Sequence, residues 1–357
     1  MKALHLEGWL IWQGPLWNVG LRSETEMKER MSLTLGEDAF AGFEQKFYDE
    51  FITEADVIKI KSLGFNTIRL SFNHSILEKD NRPYVYREQG WKQLDRFLDY
   101  AEKHNIYVML TMHSAPGGQS NLFVCDPDDT LLWESKENRK RTVALWKAIA
   151  ERYRNRPYVY GYEILNEPDV SDWKELLGLY REITSAIRSV DSNHMIIYQG
   201  NKHGRKFHGF GAPLDSNAAL SYHTYKISIF VPDITDEILQ ALGTLNRQHG
   251  WPYINTEFGA NDLDWTRKKR IQMEGGPGQG WTFWPYKRVP SAMQDNFRHL
   301  VEIKTGEDWE MVDRSLKWPR AMSGEKEKVA RALLAFLDAS RAEKLVVDQE
   351  ILGALGL

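Results

Sequence analysis

The amino-acid sequence predicts an α/β protein of a single domain, a (β/α)8 barrel (TIM barrel). Eight short runs of β-branched, aromatic or other apolar residues alternate with longer amphipathic stretches between about residues 4 and 300. No internal repeat and no low-complexity linker divides the 357 residues. The first run leads into Trp12-Gln13-Gly14-Pro15, which lacks the glycine-rich turn of an open dinucleotide-binding sheet. The closed barrel is therefore favoured over the doubly wound sheet.

The strands are predicted from short runs that turn residues or polar segments interrupt. The third run is almost continuously apolar, as expected of a parallel strand that is buried on both faces. Length separates these runs from the helices, which are longer and periodic. The predicted strands are residues 4–12, 65–70, 106–112, 159–165, 194–198, 218–222, 252–256 and 280–284.

The helices are predicted from apolar positions that recur with helical spacing and from capping residues. Thr53 and Gly64 bracket the first helix, and Asp172 caps the fourth. In the second helix, Trp91, Leu94 and Leu98 fall on one face. The last helix belongs to a C-terminal helical tail that starts at about residue 325 within the one domain, residues 1–357. The predicted helices are residues 53–63, 88–104, 139–153, 173–187, 234–249, 264–273, 293–302 and 325–339.

Composition narrows the class of partner. The 46 basic and 50 acidic residues leave a formal charge of −4, so the chain has no polycationic footprint for nucleic acid and no strong attraction to anionic membranes. The 13 tryptophans can supply core packing, and also flat platforms for ligand faces. A small molecule or a neutral polymer is the expected partner, and the oligomeric state stays open.

The chain shows no secretory or membrane signal as written. Its first residues lack the apolar run of a signal peptide, and no uncharged stretch of about 18 apolar residues is present. We therefore expect a cytoplasmic protein, or an extracellular one if a leader has been removed. The lone Cys125 has no cationic neighbour in sequence and is expected to be an inert thiol.

Polar side chains end most of the predicted strands. In a (β/α)8 barrel the active site lies at the carboxyl ends of the strands, so these residues are expected to meet in one mouth. Each has a structural explanation when taken alone, but their convergence indicates a binding or catalytic site. The candidates are Arg69 near the end of strand two, His113 after strand three, Asn166 and Glu167 after strand four, His223 and Tyr225 after strand six, Glu257 after strand seven and Trp284 at the end of strand eight.

The two glutamates suggest a specific reaction. Glycosidic bonds are cleaved by paired carboxyl groups, of which one donates a proton to the leaving oxygen while the other attacks the anomeric carbon or activates water. The pair needs two different pKa values, and Arg69 would keep one glutamate ionised. The distance between the carboxyl groups is not contained in the sequence, so these residues alone leave retention or inversion of configuration open.

These motifs resemble glycoside hydrolase family 5, the cellulase-like retaining β-glycosidases. The stretches GFNTIR (64–69), ILNEP (164–168) and EFG (257–259) are similar to its strand-two, acid/base and nucleophile motifs. The resemblance covers about residues 4–300 and implies hydrolysis of O-glycosyl bonds with retention, without metal or cofactor. The remaining members of the family set follow in the expected order, namely His113, His223, Tyr225 and Trp284.

The resemblance also implies a role for each residue. Glu167 would be the acid/base and Glu257 the nucleophile, with Asn166 binding the sugar 2-hydroxyl. Arg69 and Tyr225 would flank the nucleophile. His113 and His223 would hold the sugar and the acid/base network, and Trp284 would floor the subsite where the bond is cut.

A looser resemblance points to the exo-β-1,3-glucanase branch of the family. Residues 7–10 (EGWL) and 113–119 (HSAPGGQ) are similar to its Gly-Gly-Trp and His-Gly-Ala-Pro-Gly stretches. Thr111 stands where that branch has Asp, and Gln13 stands near its substrate-binding Glu. Both departures concern which sugar and which glycosidic linkage the protein accepts. Lys287, just beyond the strand-eight tryptophan, is expected to be solvated.

The expected function is hydrolysis of β-linked glucan or its oligosaccharides by double displacement. One alternative is a β-glycosidase for another sugar, in mannan, xylan or a glycoconjugate. A second is a catalytically silent barrel that binds carbohydrate. A metal-dependent barrel hydrolase is disfavoured because no HxH or HExxH spacing occurs. Endo or exo action remains open.

Overall fold

The fold is a closed barrel of eight parallel strands in sequential order, as the sequence predicts. The structure is a computed structural model that describes residues 1–226, 233–278, 280–290 and 297–357. Every neighbouring pair of barrel strands is parallel, and β1 closes the barrel against β8 through Ala3 and Thr282. The strands are β1 Lys2–Leu10, β2 Thr67–Asn73, β3 Tyr107–Ser114, β4 Val159–Glu163, β5 Met195–Gln199, β6 Ala218–Lys226, β7 Tyr253–Ala260 and β8 Trp281–Phe283.

Helices connect the strands and surround the barrel. Seven of the fourteen α-helices in the described part of the chain lie where the amphipathic periodicity predicts them. Thr53 forms a capping box with Asp56 at the start of the helix that leads to β2. The α-helices are Gly14–Trp17, Glu24–Leu35, Glu37–Glu50, Glu54–Ser62, Glu88–Lys103, Lys136–Tyr153, Trp173–Arg188, Asn201–Gly204, Thr235–His249, Leu263–Gly275, Trp309–Lys317, Pro319–Met322, Lys326–Ala339 and Gln349–Leu355. Short 3₁₀ helices are His74–Ile76, Phe123–Cys125, Ser323–Glu325 and Ala342–Lys344.

The helix predicted for residues 293–302 is not observed in its described part. Residues 293–296 lie outside the described residues, and Val301–Glu302 form a short strand, β10. This strand pairs in parallel with β9 (Lys287–Arg288) and antiparallel with β11 (Val346–Val347). The local apolar spacing that suggested a helix is thus overridden by pairing with two segments that are distant in sequence.

The barrel interior is divided into an apolar floor and a polar mouth. Met109, Ile197, Ala219 and Ile254 are fully buried and pack together inside the barrel as a separate small cluster. Side chains alternate along a strand, so residues further toward the carboxyl ends of the same strands also point inward. Polar groups occupy those upper positions, and the packed floor gives them a rigid base.

Two helices that are not predicted from the sequence, Glu24–Leu35 and Glu37–Glu50, follow β1. They pack beside an aromatic cluster in which Trp12 stacks on Trp17 at a ring-centroid distance of 4.8 Å. Trp17 also contacts Phe336 of the C-terminal helix Lys326–Ala339 at 4.8 Å. The tail therefore packs against the segment that follows β1.

Lys287 is buried rather than solvated, contrary to expectation. It is 2% exposed, its Nζ lies 2.7 Å from Oδ1 of Asp56, and it donates to the Phe51 carbonyl at 2.6 Å. Burial, only partly opposed by Asp56, lowers the pKa of the Lys287 ammonium. The ion pair ties β9 to the helix Glu54–Ser62 that leads to β2, a long-range contact that sequence spacing does not reveal.

Cys125 is buried, and its burial raises the pKa of the thiol far above the ordinary value, as expected of an unreactive cysteine. No helix within the described ranges is both long and apolar enough to cross a membrane.

Candidate active site

The carboxyl ends of the strands bring all eight predicted site residues together. Because the strands are parallel and closed into a barrel, residues at corresponding heights meet around one axis. Arg69 lies on β2, His113 on β3, His223 and Tyr225 on β6, and Glu257 on β7, whereas Asn166 and Glu167 follow β4 and Trp284 follows β8.

A cavity of about 590 Å³ opens at this end of the barrel. Arg69 and His223 are not part of its lining. Both are buried behind the glutamates. Arg69 contacts Glu257, and His223 contacts Glu167 and Glu257, so their position is a supporting one. The predicted residues that line the cavity are His113, Asn166, Glu167, Tyr225, Glu257 and Trp284. Its rim adds apolar side chains from the segments after β1 and β3, among them Leu21, Leu122 and Phe123.

Arg69 is the centre of the polar network. Its fully buried guanidinium donates from Nε to Glu163 Oε2 at 2.6 Å and from Nη1 to Glu257 Oε1 at 2.5 Å. Its Nη2 donates to Asn166 Oδ1 at 2.9 Å and to Thr111 Oγ1 at 3.3 Å. One planar group thereby links strands β2, β3, β4 and β7 with charge-assisted bonds of fixed geometry.

Glu257 is held in its ionised form. Burial alone would raise the pKa of this carboxyl, but His223, Arg69, His113 and His5 together hold the pKa well below its ordinary value. The hydroxyl of Tyr225 also donates to Glu257 Oε2. A buried carboxylate that stays charged and is oriented from several sides is suited to act as a nucleophile.

His223 connects the two glutamates. The side-chain amide of Gln199 donates to His223 Nε2 at 2.6 Å, so the ring carries its proton on Nδ1. This Nδ1 lies 2.9 Å from Glu167 Oε1 and 3.3 Å from Glu257 Oε2. Carboxylate oxygens of Glu167 and Glu257 lie within 4.8 Å of each other. The two carboxyl groups therefore face one another across a short space at the mouth of the barrel.

Glu167 has an uncommon backbone conformation. Its φ is +48°, in the left-handed region that non-glycine residues rarely adopt at a cost of about 1–3 kcal/mol. The Gln199 side chain accepts a hydrogen bond from the Glu167 backbone N–H and so supports this turn. Strain of this kind that surrounding contacts maintain is typical of functional positions.

Asn166 presents a free donor toward the cavity. Its Oδ1 accepts from Arg69, which orients the amide, while its buried Nδ2 has no hydrogen-bond partner among the described residues. Buried polar atoms are nearly always paired, so an orphaned donor that lines a cavity is positioned for a ligand.

His113 lies between Glu7 and Glu257. Its Nδ1 is 2.8 Å from Glu7 Oε1, and its Nε2 is 3.5 Å from Glu257 Oε1. Burial would lower the pKa of this imidazole, but the two carboxylates raise it to about 9. His113 is thus an imidazolium near neutral pH and adds a second positive charge beside Glu257.

Three functional residues were missed by the sequence analysis. Glu7 and His5 point inward from β1, and Glu163 points inward from β4. A signal was present, since an ionisable residue inside an otherwise apolar buried strand needs a partner. Glu163 is paired in register with Thr111 and supplies a carboxylate to Arg69.

Gln13 lies beside Glu7 in the site. Gln13 Nε2 donates to Glu7 Oε1 at 2.5 Å, and both side chains line the cavity.

Within the part of the chain that the structure describes, two sets of side chains have the donor types of a metal site, but neither fits a resident ion. In the set His5, His113 and Glu257, the Arg69 Nη1 lies 3.2, 3.4 and 2.5 Å from the three residues and occupies the space between them. In the set Glu167, His223 and Glu257, the proton on His223 Nδ1 already faces the carboxylates.

The barrel fold and the two facing carboxyl groups together place the chain in the class of barrel proteins that are equipped for glycoside chemistry. The family model for cellulase, glycosyl hydrolase family 5, matches residues 29–288. The chain belongs to glycosyl hydrolase family 5.

Several characterised proteins are similar to the chain. A beta-xylosidase of Phanerodontia chrysosporium is 35% identical over 298 residues, which are 74% of this chain and 63% of that protein. Endoglucanase C of Acetivibrio thermocellus is 35% identical over 164 residues, 45% of this chain and 46% of the relative. A glucan 1,3-beta-glucosidase of Blumeria graminis is 26% identical over 238 residues, 64% of this chain and 55% of the relative. The chain thus spans about half to two thirds of these relatives.

Solved structures share the fold. Endoglucanase Cel5A of Thermotoga maritima superimposes with a TM-score of 0.56 at 22% identity, over 69% of this chain and 87% of that one. The cellulose synthase subunit Z of Clostridioides difficile gives a TM-score of 0.58 at 18% identity, over 85% and 92%. At these identities the likeness concerns the fold alone.

Proposed function

We propose that the protein is a retaining β-glycoside hydrolase that cleaves β-linked glucan or its oligosaccharides by double displacement. The observation that carries the proposal is the pair Glu167 and Glu257, whose oxygens face each other within 4.8 Å. Retaining enzymes place their carboxyl groups about 5–5.5 Å apart, whereas inverting enzymes need about 6.5–9.5 Å to admit a water molecule.

In the first step, Glu257 attacks the anomeric carbon while Glu167 donates its proton to the leaving oxygen. The anomeric C–O bond breaks, and the sugar becomes esterified to Glu257. Arg69 and the imidazolium of His113 balance the negative charge of the attacking carboxylate. The Tyr225 hydroxyl helps to orient this carboxylate.

In the second step, the Glu167 carboxylate removes a proton from water, which attacks the same carbon and releases Glu257. His223 suits this exchange because its Nδ1–H donates to Glu167 in the carboxylate form. The Nδ2 of Asn166, which has no partner among the described residues, supports the proposal further. A hydrogen bond from this group to the sugar 2-hydroxyl would strengthen as the oxocarbenium-like transition state forms.

The sugar has a second candidate. The match to the beta-xylosidase extends over 298 residues at 35% identity, which favours a β-xyloside as the alternative substrate for the same mechanism. The glucan proposal draws support from the relatives named endoglucanase and glucan 1,3-beta-glucosidase.

Product analysis with the purified protein tests the mechanism. Wild type and Glu257→Gln are incubated with β-1,3-, β-1,4- and β-1,6-glucan oligosaccharides, xylan, mannan and aryl β-glycosides, with α-glycosides as the stereochemical control. NMR should show the β-anomer as the first product, and the variant should lose at least about 10³-fold in kcat. An α-anomer as first product, or undiminished turnover by the variant, contradicts the proposal.

Covalent trapping assigns the nucleophile directly. A 2-fluoro β-glycoside with a dinitrophenyl leaving group should add one sugar to the peptide that contains Glu257, as read by mass spectrometry. A higher kcat/KM for xylosides than for glucosides selects the second candidate. If no glycoside is cleaved and sugars still bind, the barrel is a carbohydrate-binding protein.

A further inference from the structure

Glu7 brings a third carboxylate to the cavity. It lies on β1 two residues after His5, so both side chains point into the barrel. The following residue, Gly8, has a φ of +82°, and the pairing of β1 with β2 shifts register between Leu6 and Leu10. This irregularity at the end of the strand raises Glu7 to the level of the catalytic glutamates.

The carboxylate of Glu7 is almost fully held by the protein. Its side chain is 2% exposed. Oε1 accepts from Gln13 Nε2 at 2.5 Å and lies 2.8 Å from His113 Nδ1. Oε2 accepts from the indole Nε1 of Trp284 at 2.5 Å. A carboxylate offers about four acceptor positions, so these three contacts leave one position on Oε2 without a partner among the described residues.

The environment of that open position points to a ligand. All three groups that contact Glu7, namely Gln13, His113 and Trp284, line the same cavity as Glu167 and Glu257. Glu7 is also only one imidazole ring away from the nucleophile, since His113 contacts both carboxylates. A molecule whose anomeric carbon lies at Glu257 and whose ring lies on Trp284 therefore meets Glu7 at its edge.

We infer that Glu7 is a specificity-determining residue that accepts a hydrogen bond from one hydroxyl group of the sugar held beside the two catalytic glutamates. The inference rests on the proposed glycoside hydrolysis and adds to it the group that recognises the sugar. The 2-hydroxyl is assigned to Asn166, so the hydroxyl bound by Glu7 is the one at position 3, 4 or, in a hexose, 6.

The chemistry favours a hydroxyl group as the partner. A carboxylate can only accept hydrogen bonds, and a bond from a neutral hydroxyl to a charged acceptor is stronger than one between neutral groups. A sugar without that hydroxyl would leave the buried acceptor unpaired, and sites built around a polar contact reject such analogues strongly. We expect the loss of this single hydroxyl to lower kcat/KM about 10- to 100-fold.

The test uses nitrophenyl β-glycosides of the 2-, 3-, 4- and 6-deoxy sugars with wild type, Glu7→Gln and Glu7→Ala. One of the 3-, 4- and 6-deoxy substrates should be penalised about 10- to 100-fold by wild type, and that penalty should disappear in Glu7→Ala. The 2-deoxy penalty serves as internal control and should persist in both variants. Glu78→Gln is the matched protein control, because Glu78 is buried and paired with Arg141 outside the cavity lining.

The outcomes separate the inference from the proposed function. If Glu7 serves only to hold His113 and Trp284, its variants slow every substrate by the same factor and the deoxy penalties remain, which overturns the inference. Measurements on wild type alone are also decisive. If its kcat/KM for each of the 3-, 4- and 6-deoxy substrates lies within about threefold of the value for the parent sugar, the inference is overturned even if the variants do not fold. In both cases the proposed function is still supported if wild type cleaves glycosides and Glu257→Gln does not. If wild type cleaves no glycoside at all, the proposed function itself is refuted.

Discussion

Nη1 of Arg69 lies 2.5 Å from Oε1 of Glu257, and the two side chains are 0% and 6% exposed. Because both side chains are almost fully buried, solvent screens their attraction only weakly. Arg69 retains a second carboxylate partner in Glu163. Removal of the charge on Glu257 therefore leaves the guanidinium paired, and its effect reports the contacts of Glu257 with Arg69, His113 and His223 together.

The ionisation of Glu257 should make stability depend on acidic pH. Its pKa in the folded protein lies well below the ordinary 4.5, so its stabilising contribution is present above about pH 4.5 and is lost as the pH falls through the folded value. Urea unfolding of wild type and Glu257→Gln from pH 7 to pH 3 should show a difference in unfolding free energy that shrinks below pH 4.5. Glu29→Gln, at an exposed site, is the control. A difference that grows toward low pH contradicts the prediction.

His113 should give the opposite dependence at alkaline pH. Its pKa is raised to about 9 in the folded protein from 6.5, so its contribution is complete below pH 6.5 and is lost as the pH rises to about 9. The difference in unfolding free energy between wild type and His113→Asn should fall by about 3 kcal/mol across this window. His249→Asn, at an exposed helix end, should show no such change. A flat difference from pH 6 to pH 9.5 is the contrary result.

Replacement of the acid/base residue should have an effect that depends on the leaving group. Glu167→Ala removes the proton donor, so glycosides with a poorly acidic leaving group should lose about 10²–10⁴-fold in kcat/KM. A dinitrophenyl glycoside needs no protonation and should retain most of its kcat/KM. Asp169→Asn, two residues away and paired with Lys202, is the matched control. Equal losses for both leaving groups would argue against this role for Glu167.

The buried pair Lys287–Asp56 should matter for stability rather than for catalysis. Lys287→Met leaves the Asp56 carboxylate buried without its cation and should lower the free energy of unfolding by about 3–5 kcal/mol. The double variant Lys287→Met/Asp56→Asn should be less destabilised, because no buried charge remains. Lys317→Met, which removes an exposed partner of Asp313, should cost less than about 1 kcal/mol. A Lys287→Met protein as stable as Lys317→Met contradicts the assignment.

The sequence predicts the fold and much of the site because both depend on short-range patterns. Parallel strands in a barrel end at one face, so polar residues at the ends of apolar runs meet there irrespective of the loops. That rule is sufficient for Arg69, Asn166, Glu167 and Glu257.

Other features depend on contacts that periodicity does not contain. Lys287 is buried because Asp56, more than two hundred residues earlier, lies against it. The helix Glu24–Leu35 has Met27 and Met31 four residues apart and could have been recognised from that spacing. Glu7 follows His5 with the period of a strand, a pattern that marks an inward-facing polar pair once β1 is accepted as a barrel strand.

The cavity presents charges of both signs to a ligand. Glu7, Glu167 and Glu257 line it together with His113, Arg205 and Arg288, while Arg69 lies behind Glu257. A ring-shaped amine that places its nitrogen beside Glu257 would pair with that ionised carboxylate. We therefore expect bases of this shape to be retained longer than neutral sugars of the same shape.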